Sequence, residues 1–144
     1  MNGLWRLGVA LITLTAAVAL NWGAVSRGCA ARDAATPEGA ARAFIAASRA
    51  ADKEVMWALL GPATRARLGE AAVAATERVG GARRYQPLDV LDVAVSDTTY
   101  APTDVLARDV HGDRGFVDVL GPDGHRDVLT VVRVDGDWRV ELDF

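Results

Sequence analysis

The sequence predicts an α+β fold in which three helices pack on a curved antiparallel sheet of about five strands, a cone, preceded by an N-terminal apolar helix. Apolar residues recur at helical spacing in the first half of the chain, and near its end they alternate with polar residues as in a half-buried strand. The charge changes between the halves: residues 29–84 hold six acidic residues against nine Lys and Arg, and residues 85–144 hold thirteen against five. We therefore expect a helical half followed by a sheet-forming half.

Three domain segments follow from these patterns. Residues 1–29 are expected to form a signal or anchor segment, residues 30–35 a linker, and residues 36–144 the α+β cone domain. The folded part is long enough for one domain of ordinary size. Arg outnumbers Lys fifteen to one and Ala is abundant, which we interpret as the coding bias of a high-GC bacterium.

The three helices are predicted from their start and stop signals. Thr36-Pro37-Glu38 is typical of a helix start, because Thr caps free amides, Pro suits the first position and Glu favours the positive end of the helix dipole. Asp52 is expected to cap a short second helix that Gly61-Pro62 ends. A third helix is expected from about Ala63 to Val79. Gly80-Gly81 ends it, because glycine tolerates the left-handed conformation.

Five strands are predicted in the second half. They cover Leu88 to Val95, Thr103 to Val110, Gly115 to Leu120, about His125 to Val134, and a final run in which Trp138, Val140, Leu142 and Phe144 share one face. Asp135-Gly136-Asp137 is a strong signal for a hairpin between the last two strands. Strands joined by short turns form an antiparallel meander, and the three helices can cover its apolar face.

The first 29 residues predict an association with a membrane. Arg6 is followed by twenty uncharged residues, Leu7 to Ser26, which as a helix would span about 30 Å, the thickness of a hydrocarbon core. Three interpretations remain open: a cleaved signal peptide, a lipoprotein signal that ends in a lipidated Cys29, and an uncleaved transmembrane helix. For the last, Trp5 and Trp22 would lie about 25 Å apart along the helix, one at each membrane interface.

The residues around the only cysteine bear on this choice. Ser26-Arg27-Gly28-Cys29 resembles a lipoprotein box in its Gly before Cys, and departs from that pattern at Ser26 and Arg27. Lys and Arg are balanced on the two sides of the apolar run, so the positive-inside rule gives no orientation. A short flank before the run resembles an export signal. We therefore expect a membrane-anchored domain on the extracytoplasmic side, in the periplasm or on the cell surface.

Three stretches share a resemblance with a known superfamily. Thr36 to Phe44 looks like an opening helix, Ala63 to Leu68 like a third helix after a Gly-Pro break, and Val131 to Val140 like a final hairpin with a glycine turn and a following Trp. In this order they resemble small bacterial envelope members of the nuclear transport factor two-like superfamily, which includes ketosteroid-isomerase-like and cystatin-like cones. The resemblance covers about residues 36–144. It implies the cone fold, and no single activity, because the fold hosts isomerases, hydrolases, binding modules and assembly domains.

Sequence motifs for known chemistry are missing. The chain has no glycine-rich phosphate loop, no pair of cysteines, no His-Glu-x-x-His and no Gly-x-Ser-x-Gly. His111 and His125 are expected at exposed turns. The Asp-Gly clusters lack the spacing of a calcium loop, and Asp is a preferred turn residue for backbone reasons. We therefore expect no metal site and no cofactor.

Asp92, Asp118 and Tyr100 are the candidates for a catalytic site. The resemblance implies an Asp base with a Tyr or Asp donor inside the apolar cone, where burial raises the pKa of a carboxyl group. In the predicted strands, Asp92 would point to the same side as Val90 and Ala94, and Asp118 to the same side as Phe116 and Leu120. The same pattern is typical of a solvated face or of a sheet edge, and no motif supports catalysis.

The functional expectation follows from the membrane segment and the missing motifs. The net charge of −3 and the lack of a Lys/Arg stripe disfavour binding of nucleic acid. The leading hypothesis is a membrane-tethered, non-enzymatic bacterial envelope domain that binds a protein partner or a small apolar ligand of unknown identity. The alternatives are a pocket enzyme of the isomerase or hydrolase type that uses a buried carboxylate, and a homo-oligomeric assembly module, for example a homodimer.

Overall fold

The structure, a computed structural model, describes residues 33–94 and 101–144. Its elements in chain order are α1 (Pro37–Arg49), α2 (Lys53–Leu59), α3 (Pro62–Arg78), α4 (Pro87–Ala94), β1 (Asp104–His111), β2 (Arg114–Leu120), β3 (Arg126–Val134) and β4 (Asp137–Glu141). The strands form one antiparallel sheet in the order β1-β2-β3-β4. The predicted α+β class and the meander are confirmed in the described residues.

The helices begin and end where the capping signals predict. The Thr36 side chain accepts a hydrogen bond from the Gly39 N–H at 3.0 Å, and the Asp52 carboxylate accepts one from the Val55 N–H at 3.1 Å. After α3, Gly80 has a φ of 63°. This is the left-handed conformation that glycine adopts at low cost, so α3 ends at the predicted place.

The strand predicted over Leu88 to Val95 is wrong, because Pro87–Ala94 is helix α4. Pro87 occupies the first helical turn, and the Asp89 carboxylate accepts the Gln86 N–H at 2.8 Å. These contacts start a helix, whereas a short apolar run alone is ambiguous between helix and strand. Leu91 is fully buried. The described sheet therefore has four strands instead of about five.

The final hairpin forms as predicted. Asp135 and Gly136 have φ values of 53° and 91°, the positive values that a tight type I′ turn requires. Trp138 and Val140 are buried, but β4 ends at Glu141. The alternating pattern predicts Phe144 on the same buried face. It is 57% exposed instead, because the strand has ended before it.

The core lies between α1 and one face of the sheet, called here the inner face. Helix α1 buries the side chains of Ala40, Ala41, Phe44 and Ala47, and the strands bury those of Val105, Val117, Val119, Val131 and Val140. Leu60, Leu68 and Leu91 add apolar side chains from around the other helices. Ala34 is also fully buried, so the packed domain includes at least two residues before Thr36. Inner-face residues recur at every second position, as the pleat of a strand requires.

The edge of β1 is covered by side chains of α1. The Ala107 N–H donates to Glu38 Oε1 at 3.2 Å, and the Arg42 guanidinium donates to the Val105 carbonyl at 2.7 Å. Arg42 also lies 3.6 Å from the Asp104 carboxylate. Unpaired backbone groups of an edge strand invite pairing with another chain. Here two charged side chains occupy such groups.

The edge of β4 is covered by backbone. The Trp138 N–H donates to the Ala34 carbonyl at 2.7 Å, and the Gly61 N–H donates to the Val140 carbonyl at 2.8 Å. Leu60 forms a parallel bridge with Val140. Backbone just before α1 therefore closes this edge at Trp138, and backbone just after α2 closes it at Val140.

Several predicted features lie outside the described residues. These are the apolar N-terminal helix with Trp5 and Trp22, the candidate lipidation residue Cys29, and Tyr100. In the described ranges 33–94 and 101–144, no helix is long and apolar enough to cross a membrane.

Candidate functional site: the outer face of the sheet

The sheet face turned away from α1, called here the outer face, presents apolar side chains to solvent. Leu106 on β1 and Val128 on β3 both pair with Asp118 on β2, so the three form one row across the sheet. Leu106 is 48% exposed and Val128 is 45% exposed. Phe116 and Leu120 flank Asp118 on β2, and both are half-buried. The helices of the described chain pack on the other face, which leaves this row uncovered by them.

Asp118 is the buried charge at the centre of this face. Its residue exposure is only 8%. The Arg108 guanidinium on β1 lies 3.4 Å from Asp118 Oδ1, and that of Arg126 on β3 lies 3.6 Å from Oδ2. Oδ1 is buried and has no hydrogen bond, so the contact with Arg108 is ionic without the geometry of a hydrogen bond. A charge removed from water requires such partners.

A bulge in β1 gives Arg108 its position. The register with β2 shifts between Ala107 and Asp109, so Arg108 is an extra residue with no direct partner. A bulge re-aims side chains and increases the local twist of a strand. Arg108 also lies 3.5 Å from the Asp109 carboxylate. The network is thus a chain of alternating charges, Asp109, Arg108, Asp118 and Arg126, with no net charge.

This arrangement does not suit Asp118 to the role of a base in an apolar cone. The carboxylate lies on the outer face, whereas Val117 and Val119 lie on the inner face, which packs against α1. The guanidinium groups of Arg108 and Arg126 lie within 4 Å of it. A catalytic base of the implied type requires an apolar pocket that disfavours charge. The geometry favours a structural ion network.

The other predicted site residues are not brought together with Asp118 by the described structure. Asp92 belongs to helix α4 instead of a strand, and the description does not extend to its side chain. His111 and His125 are exposed, as expected, and His125 lies 3.2 Å from the Asp127 carboxylate. Within the described residues, no group of three or more His, Cys, Asp or Glu is arranged to hold a metal ion.

Arg65 on α3 is partly buried against the end of α2. Burial, and secondarily the positive charge of Arg139, lower its pKa below the ordinary value. The guanidinium stays protonated, because an arginine titrates far above neutral pH. It donates to the Trp57 carbonyl at 2.7 Å and to the Ala58 carbonyl at 3.1 Å, and lies 5.3 Å from the centre of the Trp57 ring. Arg65 therefore stabilises the end of α2.

Comparison with known proteins does not identify a relative. No protein-family model matches the chain, and no significant match is found among curated proteins or among solved structures. The superfamily resemblance of the sequence therefore stays a prediction.

The sequence pattern missed the partners of Asp118. Arg108 lies ten residues before it, and Arg126 eight residues after it. They meet Asp118 through the pairing of β1 and β3 with β2, and through the bulge at Arg108. The turn between β2 and β3 sets a register that places Val128 beside Asp118. The turn between β1 and β2 alone would place Ala107 there, and the bulge shifts this position to Leu106. The bulge has no comparable sequence signal.

Proposed function

We propose that this protein is a membrane-tethered, non-enzymatic bacterial envelope domain that binds a protein partner through the outer face of its sheet. One observation carries the binding role: exposed Leu106 and Val128 flank a neutral ion network on the face that the described helices leave uncovered. The inner face is filled by α1, and both sheet edges are occupied at several positions. The outer face is therefore the surface best suited to another macromolecule.

A protein partner fits this surface better than a small apolar ligand. Small molecules bind in concave pockets that bury most of their surface. Val117, Val131 and Val140 are fully buried on the inner face, and Leu106 and Val128 are exposed on the outer face. Protein interfaces combine apolar side chains with arginine at their centre. Arg108 and Arg126 supply that arginine.

The proposed tether is supported by the sequence of the N-terminal segment. Its run of twenty uncharged residues matches the thickness of a hydrocarbon core, at about 30 Å for a helix. Cell fractionation followed by intact mass of the membrane-extracted protein tests this part. A mass that corresponds to a chain beginning at Met1, or to a chain beginning at Cys29 with added acyl groups, supports a tether. A soluble protein in the cytoplasm contradicts it.

The binding role is tested by exchanging the exposed apolar side chains for charge. Leu106→Asp/Val128→Asp is compared with Val79→Asp, because Val79 is an exposed valine at the end of α3. Tagged proteins are purified from detergent extracts of native membranes, and co-purifying proteins are quantified. We expect one partner to be lost with the double variant and kept with Val79→Asp. Equal recovery of every co-purifying protein with the wild type, the double variant and Val79→Asp contradicts a partner on the outer face.

A second copy of the chain is the alternative partner, and the charge pattern of the outer face favours it. A two-fold axis parallel to β2 would place β1 of one copy over β3 of the other, as an isologous interface requires. Leu106 would then face Val128, and Asp104 would face Arg126, because each pair occupies one row of the sheet.

The area available for such a dimer is small. A four-stranded face of about 20 Å by 20 Å is smaller than the roughly 800 Å² per partner of standard interfaces. A dimer would therefore be weak, and sedimentation velocity across protein concentrations measures it.

A further inference from the structure

The exposed side of helix α3 carries an apolar trough that the proposed function does not use. The trough is shallow and wide open to solvent, it is lined by residues of α3 alone, and its lining is mainly apolar. Its lining residues are Arg65, Ala66, Gly69, Glu70, Val73, Ala74 and Glu77. Val73 at its centre is 59% exposed, and a Cβ at Gly69 would meet no atom within 4 Å. A helix could therefore approach α3 closely here, since small residues permit close packing of helices.

We propose that the chain's own apolar segment, residues 7–26, docks in this trough when no membrane is available. The inference rests on the proposed retention of this segment, and is independent of binding at the outer face. Docking would shield part of the apolar run from water until a membrane competes for it. The segment would then partition between two apolar environments.

The point at which the described chain begins supports this occupant. The Ala34 carbonyl accepts the Trp138 N–H, and the Gly61 N–H, just before α3, donates to the Val140 carbonyl. Two residues along β4 correspond to about 7 Å. The chain therefore enters the domain beside the start of α3. The apolar run ends seven residues before Asp33, and such a connection reaches up to about 23 Å.

The lengths of the two elements also agree. Helix α3 has 17 residues, which correspond to about 26 Å at 1.5 Å per residue. The twenty-residue run corresponds to about 30 Å. One antiparallel pass along α3 therefore accommodates most of the run.

Cross-linking of the full chain tests the docking. The starting variant carries Cys29→Ser, which removes the native cysteine, and Ala17→Cys, which places a cysteine in the apolar run. The test variant adds Val73→Cys in the trough. The control adds Ala46→Cys, because Ala46 is exposed on α1. Cell-free synthesis without membranes, followed by a short bis-maleimide, should give an intramolecular product in several-fold higher yield with Val73→Cys. Equal yields from both positions overturn the proposal.

Vesicles of phosphatidylethanolamine and phosphatidylglycerol separate docking from tethering. We expect added vesicles to lower the yield of the Val73→Cys product several-fold while the protein co-floats with the lipid. A protein that co-floats but gives no product without lipid overturns docking and leaves the tether in place.

Discussion

Glu141 at the end of β4 accepts hydrogen bonds from both the backbone N–H and the hydroxyl of Thr64 in the first turn of α3. The N–H contact is 2.7 Å long, and Thr64 is fully buried. The N-cap of α3 is Gly61, which has no side chain to accept from the free amides. A carboxylate from the sheet therefore caps α3 in its place, and the negative charge lies at the positive end of the helix dipole.

The first prediction concerns this cap. Glu141→Ala should lower the free energy of unfolding by about 1–2 kcal/mol, because the N–H groups of Ala63 and Thr64 and the buried hydroxyl of Thr64 lose their acceptor. Urea unfolding followed by circular dichroism measures it. Glu54→Ala, an exposed carboxylate on α2, is the control and should change stability by at most about 0.5 kcal/mol. Equal effects of the two substitutions would show that Glu141 does not cap α3.

The ion network of the outer face gives the second prediction. Arg108→Ala/Arg126→Ala should destabilise the fold by about 2 kcal/mol, because Asp118 then stays buried without a counter-ion. Adding Asp118→Leu to this double variant should restore much of the loss, because the buried charge is gone. Thermal unfolding of the wild type, the double variant and the triple variant measures both the loss of stability and its recovery. No recovery in the triple variant would contradict the account of Asp118 as a paired structural charge.

The third prediction concerns the backbone after α1. Ala51 has a φ of 53°, a left-handed value that costs a residue with a side chain. Ala51→Gly should therefore raise stability by about 0.5 kcal/mol. Ala50 is the matched control, with a right-handed φ of −81°, and Ala50→Gly should lower stability. Chemical unfolding of both variants tests the contrast, and the opposite order would rule out strain at Ala51.

The edge of β1 gives the fourth prediction. Glu38→Ala/Arg42→Ala should increase aggregation on mild heating, because the Ala107 N–H and the Val105 carbonyl lose the side chains that occupy them. Light scattering and thioflavin fluorescence measure it. Arg49→Ala, at the exposed end of the same helix, should behave like the wild type. Aggregation that tracks only the loss of stability, and not the loss of these two side chains, would refute edge protection.

Local chemistry in the sequence predicts most of the fold. Thr36, Asp52 and Gly80 define helix ends through contacts with residues a few positions away, and Asp135-Gly136 defines a turn within the hairpin itself. The strand prediction after Pro87 is wrong, because the apolar residues of this run fit a strand and a helix about equally. The contact between Gln86 and Asp89 starts the helix, and the spacing Gln-Pro-x-Asp is the signal that would have indicated it.

The candidate site is less accessible to sequence analysis because it is non-local. The exposure of Leu106 and Val128 depends on which face α1 covers. The neutralisation of Asp118 depends on the strand register and on the bulge at Arg108. Alternation places Asp118 with Phe116 and Leu120, which is correct, but it does not indicate whether that face is inside or outside. Packing of α1 decides this.

Site-specific photo-cross-linking in the native cell is a direct test of binding at the outer face. A photoreactive phenylalanine analogue at Val128 probes the outer face, and the same analogue at Arg49 probes the exposed end of α1. We predict a discrete cross-linked protein from position 128 that is absent from position 49 and is lost when Leu106→Asp is added. Identical products from both positions, or no product from position 128, would contradict binding at the outer face.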